Sequence, residues 1–562
     1  MATWGRRLKL GVGGGAGTLC LVAGVGYNRD EGFRRACQFN VSVLPICLHY
    51  KALELLSTRG WLPSSMTFED LHKRYAPRSL EIILQQKGFY VKTAQFLSQY
   101  PDVLPKEYVE AYKILRDDAP SMPFEVVKAI IESDLQLPLG EVFLDFDPTP
   151  LGAASIGQAH AATLVDGTEV VVKVQYPEAE KQFNIDIDLC INAAWAIAPY
   201  YEDILKQLRK TFANEFDYQR EAKLQRQAHE NLRLMKEVVV PVPYDDEHPT
   251  ALRLFGRGLA SKNVFVMERL WGQPVDRWAQ EQINAMAARQ GVTPEEAFAK
   301  LRSLGTAEVQ RLVPSRSTLR AYRALLGVSD ALRNSAAFSF NWTLGLLTGR
   351  SVAYQHSSLP INVHQVVDRL FEVQAKSIFE DGFFNGDPHA GNVLLLEDGR
   401  LGLIDWGQVD CLTYEQRLLF AKAVIAVADR DEPLIAKMAG ELGMRTKFGN
   451  EWVRMKLGTY YLGSFGDDVV AELGGATSFE LNLARIDPLE STAQTYFSAI
   501  RCLMMTRGVA ALMGFPGVDS AAKLKPHAEA WLRKAGQDTF VTSPGRKLER
   551  PDLQKLLGLP PR

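Results

Sequence analysis

Apolar and polar positions along the chain change texture several times. Leu10–Tyr27 is an uncharged, glycine-rich run preceded by Arg6, Arg7 and Lys9, and no acid occurs before Asp30. Its 18 residues reach the lower limit for crossing a bilayer, while the glycines weaken a helix. From about 30 to 145 the spacing is helical, as in Leu80, Ile83, Leu84, Phe89, Val91, Phe96 and Leu97, with Pro101, Pro105, Pro120 and Pro123 as punctuation. Ser121 leads a helix through Val126, Val127, Ile130 and Ile131, with Glu125 in its first turn. Near 149 the pattern turns strand-like. A small, turn-like run, Leu151–Gln158, precedes strands at His160–Val165 and Thr168–Gln175, split by the hairpin pair Asp166-Gly167. Helical stretches follow at about 178–200 and 204–230, then a strand at Val264–Glu268, and the rest is mainly helix. A small sheet followed by a helical body predicts an α+β protein of two lobes. The segment 280–360 stands apart: its first half is alanine-rich and charged. Its second half, with Phe338, Phe340, Trp342, Leu344, Leu346 and Leu347, is apolar but short of a full span.

Composition narrows the classes. The chain has 562 residues, 46% hydrophobic and 23% charged, which excludes wholesale disorder and collagen-like folds. The net charge of −2 gives no overall positive field for nucleic acid. Six cysteines form no Cys-x-x-Cys pair and nine histidines no His-Glu-x-x-His pair, which argues against a disulfide scaffold and a structural zinc site and fits a reducing compartment. The N-terminal run is open to three readings: a membrane span, a secretory signal or an organelle-targeting segment. Basic residues without acids favour targeting or anchoring.

The densest chemistry lies at Asn385-Gly-Asp-Pro-His-Ala-Gly-Asn392, followed by Leu403-Ile-Asp405-Trp-Gly407. Asp387 and Asn392 have the Asp-x4-Asn spacing of a kinase catalytic loop, and Asp405 ends an apolar run as Asp-x-Gly. Phosphoryl transfer needs Mg²⁺ held by an Asp and an Asn, with a carboxylate near the attacking hydroxyl. Asn392 and Asp405 suit the metal, and Asp387 suits the hydroxyl. Upstream, Lys173 sits within the apolar strand Val170–Val174, where a buried lysine needs a partner. Its acidic partner lies in Asn214-Glu-Phe-Asp-Tyr-Gln-Arg-Glu221. Asp217 and Glu221, four apart, share a helix face. Glu215 is about 200° from Asp217 on an ideal helix, so the three converge only if the helix bends or begins there. Glu221 is the preferred partner of Lys173, and Glu215 best suits a solvated face. Val264–Glu268 is hinge-like, with Met267 and Glu268 as nucleotide-contacting candidates. The usual Gly-x-Gly-x-x-Gly loop is replaced by Leu151–Gly157, whose methyl groups make close approach to phosphates harder. No Ala-Pro-Glu triplet follows Asp405.

Together these residues resemble the UbiB (aarF-domain) family of atypical protein kinases over roughly 65–280 and 360–440. The resemblance implies a protein-kinase-like two-lobe fold with an N-terminal helical extension. It implies an alanine-rich loop at Ala153-Ala154-Ser155, an ATP-gripping Lys173, and a Glu-x-Asp element at Glu215-Phe216-Asp217. The family's Lys-x-Gly-Gln element corresponds to Lys92-Thr93-Ala94-Gln95, with Ala94 in place of the glycine. The extension is expected to pack over the active site, with Lys92 and Gln95 regulatory beside Glu215 and Asp217, blocking protein substrates. Taken without the family, Lys92 and Gln95 form an exposed helix face. Asn385 stands where many relatives have His and is expected to support the loop through its own hydrogen bonds. The 119 residues from Glu268 to Asp387 exceed those of compact relatives, so about 285–355 is an insertion in the helical lobe.

The expected organisation is a targeting or anchor segment at 1–29, a helical extension at 30–147, an N-lobe at 148–272, a C-lobe at 273–450 and a C-terminal helical region at 451–562. The expected activity is ADP-forming, with ATP and Mg²⁺ as cofactors. A membrane surface and a lipid or isoprenoid-quinone precursor are the expected partners; protein partners in such an assembly stay open. The resemblance places it in a mitochondrion, or alternatively a plastid. A nucleotide-binding regulator without turnover and a lipid-handling scaffold are the rival functions.

Overall fold

The computed structural model describes residues 31–557 apart from 59–66, 87–89, 92–93, 95–104, 113–120, 154–155, 198–205, 207–208, 210–212, 305–307, 309–310, 358–360, 492–493 and 538. Along the chain come helices α1 (Glu31–Thr58), α2 (Phe68–Gln86), α3 (Lys106–Tyr112) and α4 (Phe124–Leu135), then strands β1 (Phe143–Ala153), β2 (Gly157–Leu164) and β3 (Glu169–Gln175). Helices α5 (Ala179–Ile197) and α6 (Tyr218–Leu232), strand β4 (Val238–Val239), helix α7 (Pro249–Phe255) and strands β5 (Val264–Glu268) and β6 (Gly272–Pro274) follow. Then come α8 (Val275–Gln290), α9 (Pro294–Ser303), α10 (Arg316–Phe340), α11 (Val363–Ala375), β7 (Phe383–Asn385), β8 (Val393–Leu396), β9 (Leu401–Leu403) and β10 (Val409–Cys411). Among the later helices, α12 (Tyr414–Ala428) and α13 (Gln494–Leu512) matter here. The chain divides into two units: one runs up to Arg220 and includes Tyr244–Met267, and the other holds Glu221–Pro243 and Glu268–Arg562.

In the first unit the sheet order is β1-β2-β3-β5. Val170, Val172 and Val174 of β3 are fully buried, and with Val264 and Val266 of β5 they face Val127, Ile131 and Leu135 of α4. The period of two in the strands and of four in the helix makes this one layer on another. By the same alternation Lys173 takes the other face of β3. Asp166-Gly167 forms the expected turn, Gly167 having φ +88° and Asp166 Oδ1 accepting from Thr168 N at 3.1 Å. Two expectations need correction. Leu151–Ala153 is not a turn but the end of β1, which pairs with β2 through several register shifts. Pro148 and Pro150 hide this strand in the sequence, and they are tolerated because β1 is the sheet edge. Ser121 does not cap α4; Pro123 occupies the cap with no side-chain bond.

The N-terminal helices belong to this unit. Ile83 of α2, Tyr90, Ala94 and Tyr112 of α3 form a buried cluster with Phe183 and Ile187 of α5 and with Phe216. Arg35 of α1 reaches the fully buried Asp186 of α5 at 2.6 Å and Gln86 O at 2.8 Å.

In the second unit a sheet of order β4-β9-β8-β6 carries the β8–β9 hairpin, with Val393 opposite Leu403. Strands β7 and β10 pair antiparallel, with Asn385 opposite Val409. Both sit on a helical core to which α12 contributes Phe420, Ala421, Val424 and Ile425, and α13 contributes Ala499, Leu503, Val509 and Ala510. No helix among the described residues is long and apolar enough to cross a membrane. The N-terminal run Leu10–Tyr27 lies outside the described residues.

Candidate active site

Two strand pairings assemble the site in the second unit. The β8–β9 hairpin aligns its open end so that Ile404 N donates to Asn392 O at 3.2 Å, which brings Asn392 beside Asp405. The β7–β10 pair does the same for the preceding loop: Gly386 N donates to Gln408 O at 2.7 Å, and Gln408 Nε2 reaches Asp387 Oδ2 at 3.4 Å. Asn392 Nδ2 meets Asp387 O at 3.5 Å. Asp387, Asn392 and Asp405, spread over 19 residues of sequence, are thus gathered by two backbone pairings and by side-chain bonds.

Asn385 ties the two acidic segments. Its Nδ2 donates to Asp405 O at 2.6 Å, and its Oδ1 accepts from Asp387 N at 2.8 Å. This is the support expected of Asn385. A single planar amide that both donates and accepts fixes two backbone segments at once. Gly407 N donates to Asp405 Oδ1 at 3.1 Å, which orients the carboxylate. Glu221 of α6 lies against the same turn: a Cβ placed on Gly407 would stand 3.7 Å from Glu221 Oε2 and 3.5 Å from Asp405 Oδ1. Glu221 is buried.

Two residues of this network escape sequence reasoning. Arg501 of α13, 7% exposed, donates to Gly386 O at 3.0 Å and to Gln408 Oε1 at 2.9 Å. Gln408 in turn holds Asp387. Gly386 must be small, because a Cβ there would come within 3.1 Å of Arg501 and 3.3 Å of Gln408 O. The available signal was a cation inside the apolar run Phe497–Met505; a buried cation is costly unless it is bonded.

The other candidates divide between the units. On the first, Lys173 is half-buried, with Nζ 5.9 Å from the centroid of the fully buried Phe265 ring. Ala153 ends β1, while Ala154 and Ser155 lie outside the described residues. Gly157 closes that loop; a Cβ on it would strike Val174 O and the Tyr218 hydroxyl. Asn214–Phe216 form a 3₁₀ turn, Asp217 is extended at φ −130°, and α6 starts at Tyr218. The helix therefore begins at this element. Asp217 is exposed and accepts from Arg220 N at 3.0 Å as a cap, whereas Glu215 is buried. The alternative of a solvated face therefore does not hold for Glu215, because the tight turn swings it inward. Phe216 packs with Tyr90 and Ala94 of the extension, while Lys92 and Gln95 themselves lie outside the described residues. Met267 is buried in β5. On the second unit, Glu268 Oε2 accepts from Val242 N at 3.2 Å.

The donor set suits Mg²⁺. Asn392 and Asp405 offer hard oxygens at one hairpin end, and Mg²⁺ is commonly held by one or two such ligands together with substrate phosphates. Among the described residues, no group of three or more Asp, Glu, His or Cys forms a metal cage of its own.

The family model described as "ABC1 atypical kinase-like domain" matches residues 114–301 and 343–439. An AarF domain-containing protein kinase 1 from Xenopus laevis is 32% identical over 211 residues, 37% of this chain and 38% of that protein. A probable protein kinase UbiB from Marinobacter nauticus is 34% identical over 205 residues, 35% of each chain. The chain thus spans little more than a third of these two relatives. A solved Mycobacterium tuberculosis protein in complex with erythromycin has a TM-score of 0.46 and 17% identity, covering 83% of this chain and 97% of that one.

Proposed function

As the chain belongs to the ABC1 atypical kinase-like family, we propose that it uses Mg²⁺–ATP to phosphorylate an acceptor or to release ADP. We place it at an organellar membrane, mitochondrial first and plastid second, in support of quinone or lipid metabolism. The observation that carries the chemistry is Asn385, which binds Asp387 and Asp405 through one amide.

Bound Mg²⁺–ATP supplies the transferable phosphoryl group and neutralises its charge. Asn392 and Asp405 would hold Mg²⁺ through their side-chain oxygens, with Asp405 oriented by Gly407 N. Asp387, fixed by Gln408, orients the acceptor hydroxyl or water and receives its proton. Lys173 binds phosphate oxygens. Ala153, Ala154 and Ser155 cover the nucleotide, and Met267 and Glu268 contact its base. Lys92 and Gln95 act with Glu215 and Asp217 to restrict the acceptor. Fixed groups of this kind cost no reorganisation during reaction, which is why such electrostatic positioning dominates phosphoryl transfer.

The test is ADP release by purified full-length protein, with and without anionic liposomes, for wild type and Asp405→Asn. A Mg²⁺-dependent rate in the wild type that falls by at least about a hundredfold in the variant is expected. Equal rates overturn the proposal. A regulator that binds nucleotide without turnover is the second reading, motivated by the methyl-bearing loop at Ala153; nucleotide binding without ADP release in the same assay would favour it.

A further inference from the structure

The match to the family domain stops at 301 and resumes at 343. The intervening chain builds a long helix that the proposed chemistry does not use. Helix α10 runs into a π turn, Asn341–Gly345, and a last helical turn, Leu346–Thr348, together about 50 Å. Its start is anchored, with Leu319 in the main core and Arg316 paired to Asp368. Gly349 at φ +65° then reverses the chain, and the irregular segment 350–357 returns along the helix. Gly345 makes room for this return, since a Cβ there would lie 2.6 Å from Arg350 O.

The polar face of the helix is tied to that returning segment. Asn334 donates to Gln355 O and accepts from Gln355 N, both at 2.7 Å. Asn341 donates to Val352 O at 2.9 Å and accepts from Val352 N at 2.7 Å. Asp330 accepts from Ser357 N at 2.6 Å and from its hydroxyl at 2.8 Å. The opposite face carries Leu325, Val328 and Leu332 at helical spacing. These three, with Trp342, Leu346 and Leu347 near the tip, are 61 to 84% exposed. The Phe338 and Trp342 rings lie 6.0 Å apart, tilted at 41°, and are also exposed. Isolated exposed leucines need no explanation, but a continuous row of them on a hydrogen-bonded hairpin marks a contact surface.

Charge selects the occupant. Between 309 and 367 stand six arginines (Arg311, Arg316, Arg320, Arg323, Arg333 and Arg350) and a single acid, Asp330, which is engaged with Ser357. The chain's own apolar run at Leu10–Tyr27 carries Arg6, Arg7 and Lys9 and would bring like charge. A second copy of the hairpin would set arginine against arginine. A basic helix with an aromatic and leucine-rich face fits the headgroup boundary of an anionic bilayer. Helix α10 itself is not long and apolar enough to cross a membrane, so the contact proposed for it is one of lying on the surface. We propose that the 316–357 hairpin docks the protein on an anionic lipid bilayer, seating Trp342, Leu346 and Leu347 in the outer leaflet. This rests on the membrane part of the proposed function and assigns it to a surface.

The test is co-flotation of full-length protein with vesicles of phosphatidylcholine alone or mixed with phosphatidylglycerol, for wild type and Trp342→Ser/Leu346→Ser/Leu347→Ser. An unchanged melting temperature establishes that the variant is folded, as expected for exposed positions. Wild type is expected on the anionic vesicles only, with partitioning at least about tenfold lower in the variant. Brominated lipid should quench a tryptophan signal that Trp342→Phe lacks. Equal binding of variant and wild type overturns the hairpin surface while leaving a membrane role to another segment. No vesicle binding by wild type overturns both. A wild-type dimer dispersed by the triple variant, without vesicle binding, identifies a self-association face and also overturns the proposal.

Discussion

Asn385 and the pair Asn334 and Asn341 use the same chemistry to opposite ends. In each, one amide donates to a carbonyl and accepts from a backbone N–H. Asn385 bridges two segments that each carry a carboxylate, and the polar atoms it organises converge on one place. Asn334 and Asn341 bridge a helix to its own returning segment, so polar groups are consumed inside the hairpin and apolar side chains are left outside. The first lies within the part of the chain that matches the family domain, and the second within or at the edge of the part that does not. An asparagine clamp does not itself mark a site. What it holds in place decides whether a region performs chemistry or offers a surface.

The largest effect expected on this contrast is in the acidic region. Asp405→Asn removes the charge proposed to hold Mg²⁺ and should lower ADP formation at least about a hundredfold, measured at saturating Mg²⁺. Next comes Arg501, which acts through Gly386 and Gln408 rather than on the reacting atoms. Arg501→Met should reduce kcat about tenfold with KM for ATP nearly unchanged, since misplacement of a positioned group costs rate before binding. Arg501→Lys should recover part of the loss, which a purely structural role in α13 would not show. On the first unit, Ile131→Ala empties a fully buried position and should cost about 2–5 kcal/mol in urea denaturation, with a smaller effect on turnover per folded molecule.

The smallest effect is a pH dependence. His160 is buried in β2, with Nδ1 2.8 Å from Asp147 O and Nε2 2.9 Å from the Gln158 amide nitrogen. These bonds suit a neutral ring that donates from Nδ1 and accepts at Nε2. Burial holds its pKa below the ordinary 6.5. The unfolded chain therefore binds the proton first as pH falls. The stability contributed by His160 is whole above about pH 6.5 and is lost progressively as pH drops toward its folded pKa. Chemical denaturation between pH 7.5 and pH 5 should show this loss, and His160→Gln should flatten it; an unchanged slope would remove His160 from the account.

Local signals in the sequence pointed to residues that the structure brings together. Asp387, Asn392 and Asp405 are close in sequence and joined by two short pairings, so spacing sufficed. The Asp166-Gly167 hairpin and the strand Val264–Glu268 were legible for the same reason. Strand β1 was not, because Pro148 and Pro150 read as breakers until the strand is known to be an edge. Arg501 and Gln408 were missed because their contact joins residues 93 positions apart, and no local pattern encodes it. The burial of Glu215 could not be read from spacing, because it depends on whether the helix begins at this element, and the 3₁₀ turn there decides it.

The most direct test sets the two clamps side by side. ADP formation from Mg²⁺–ATP would be measured without lipid for full-length wild type, Asn385→Ala and Asn334→Ala, after confirming that each is folded. The account predicts a loss of about a hundredfold or more for Asn385→Ala and wild-type turnover for Asn334→Ala. Wild-type turnover in Asn385→Ala would contradict it.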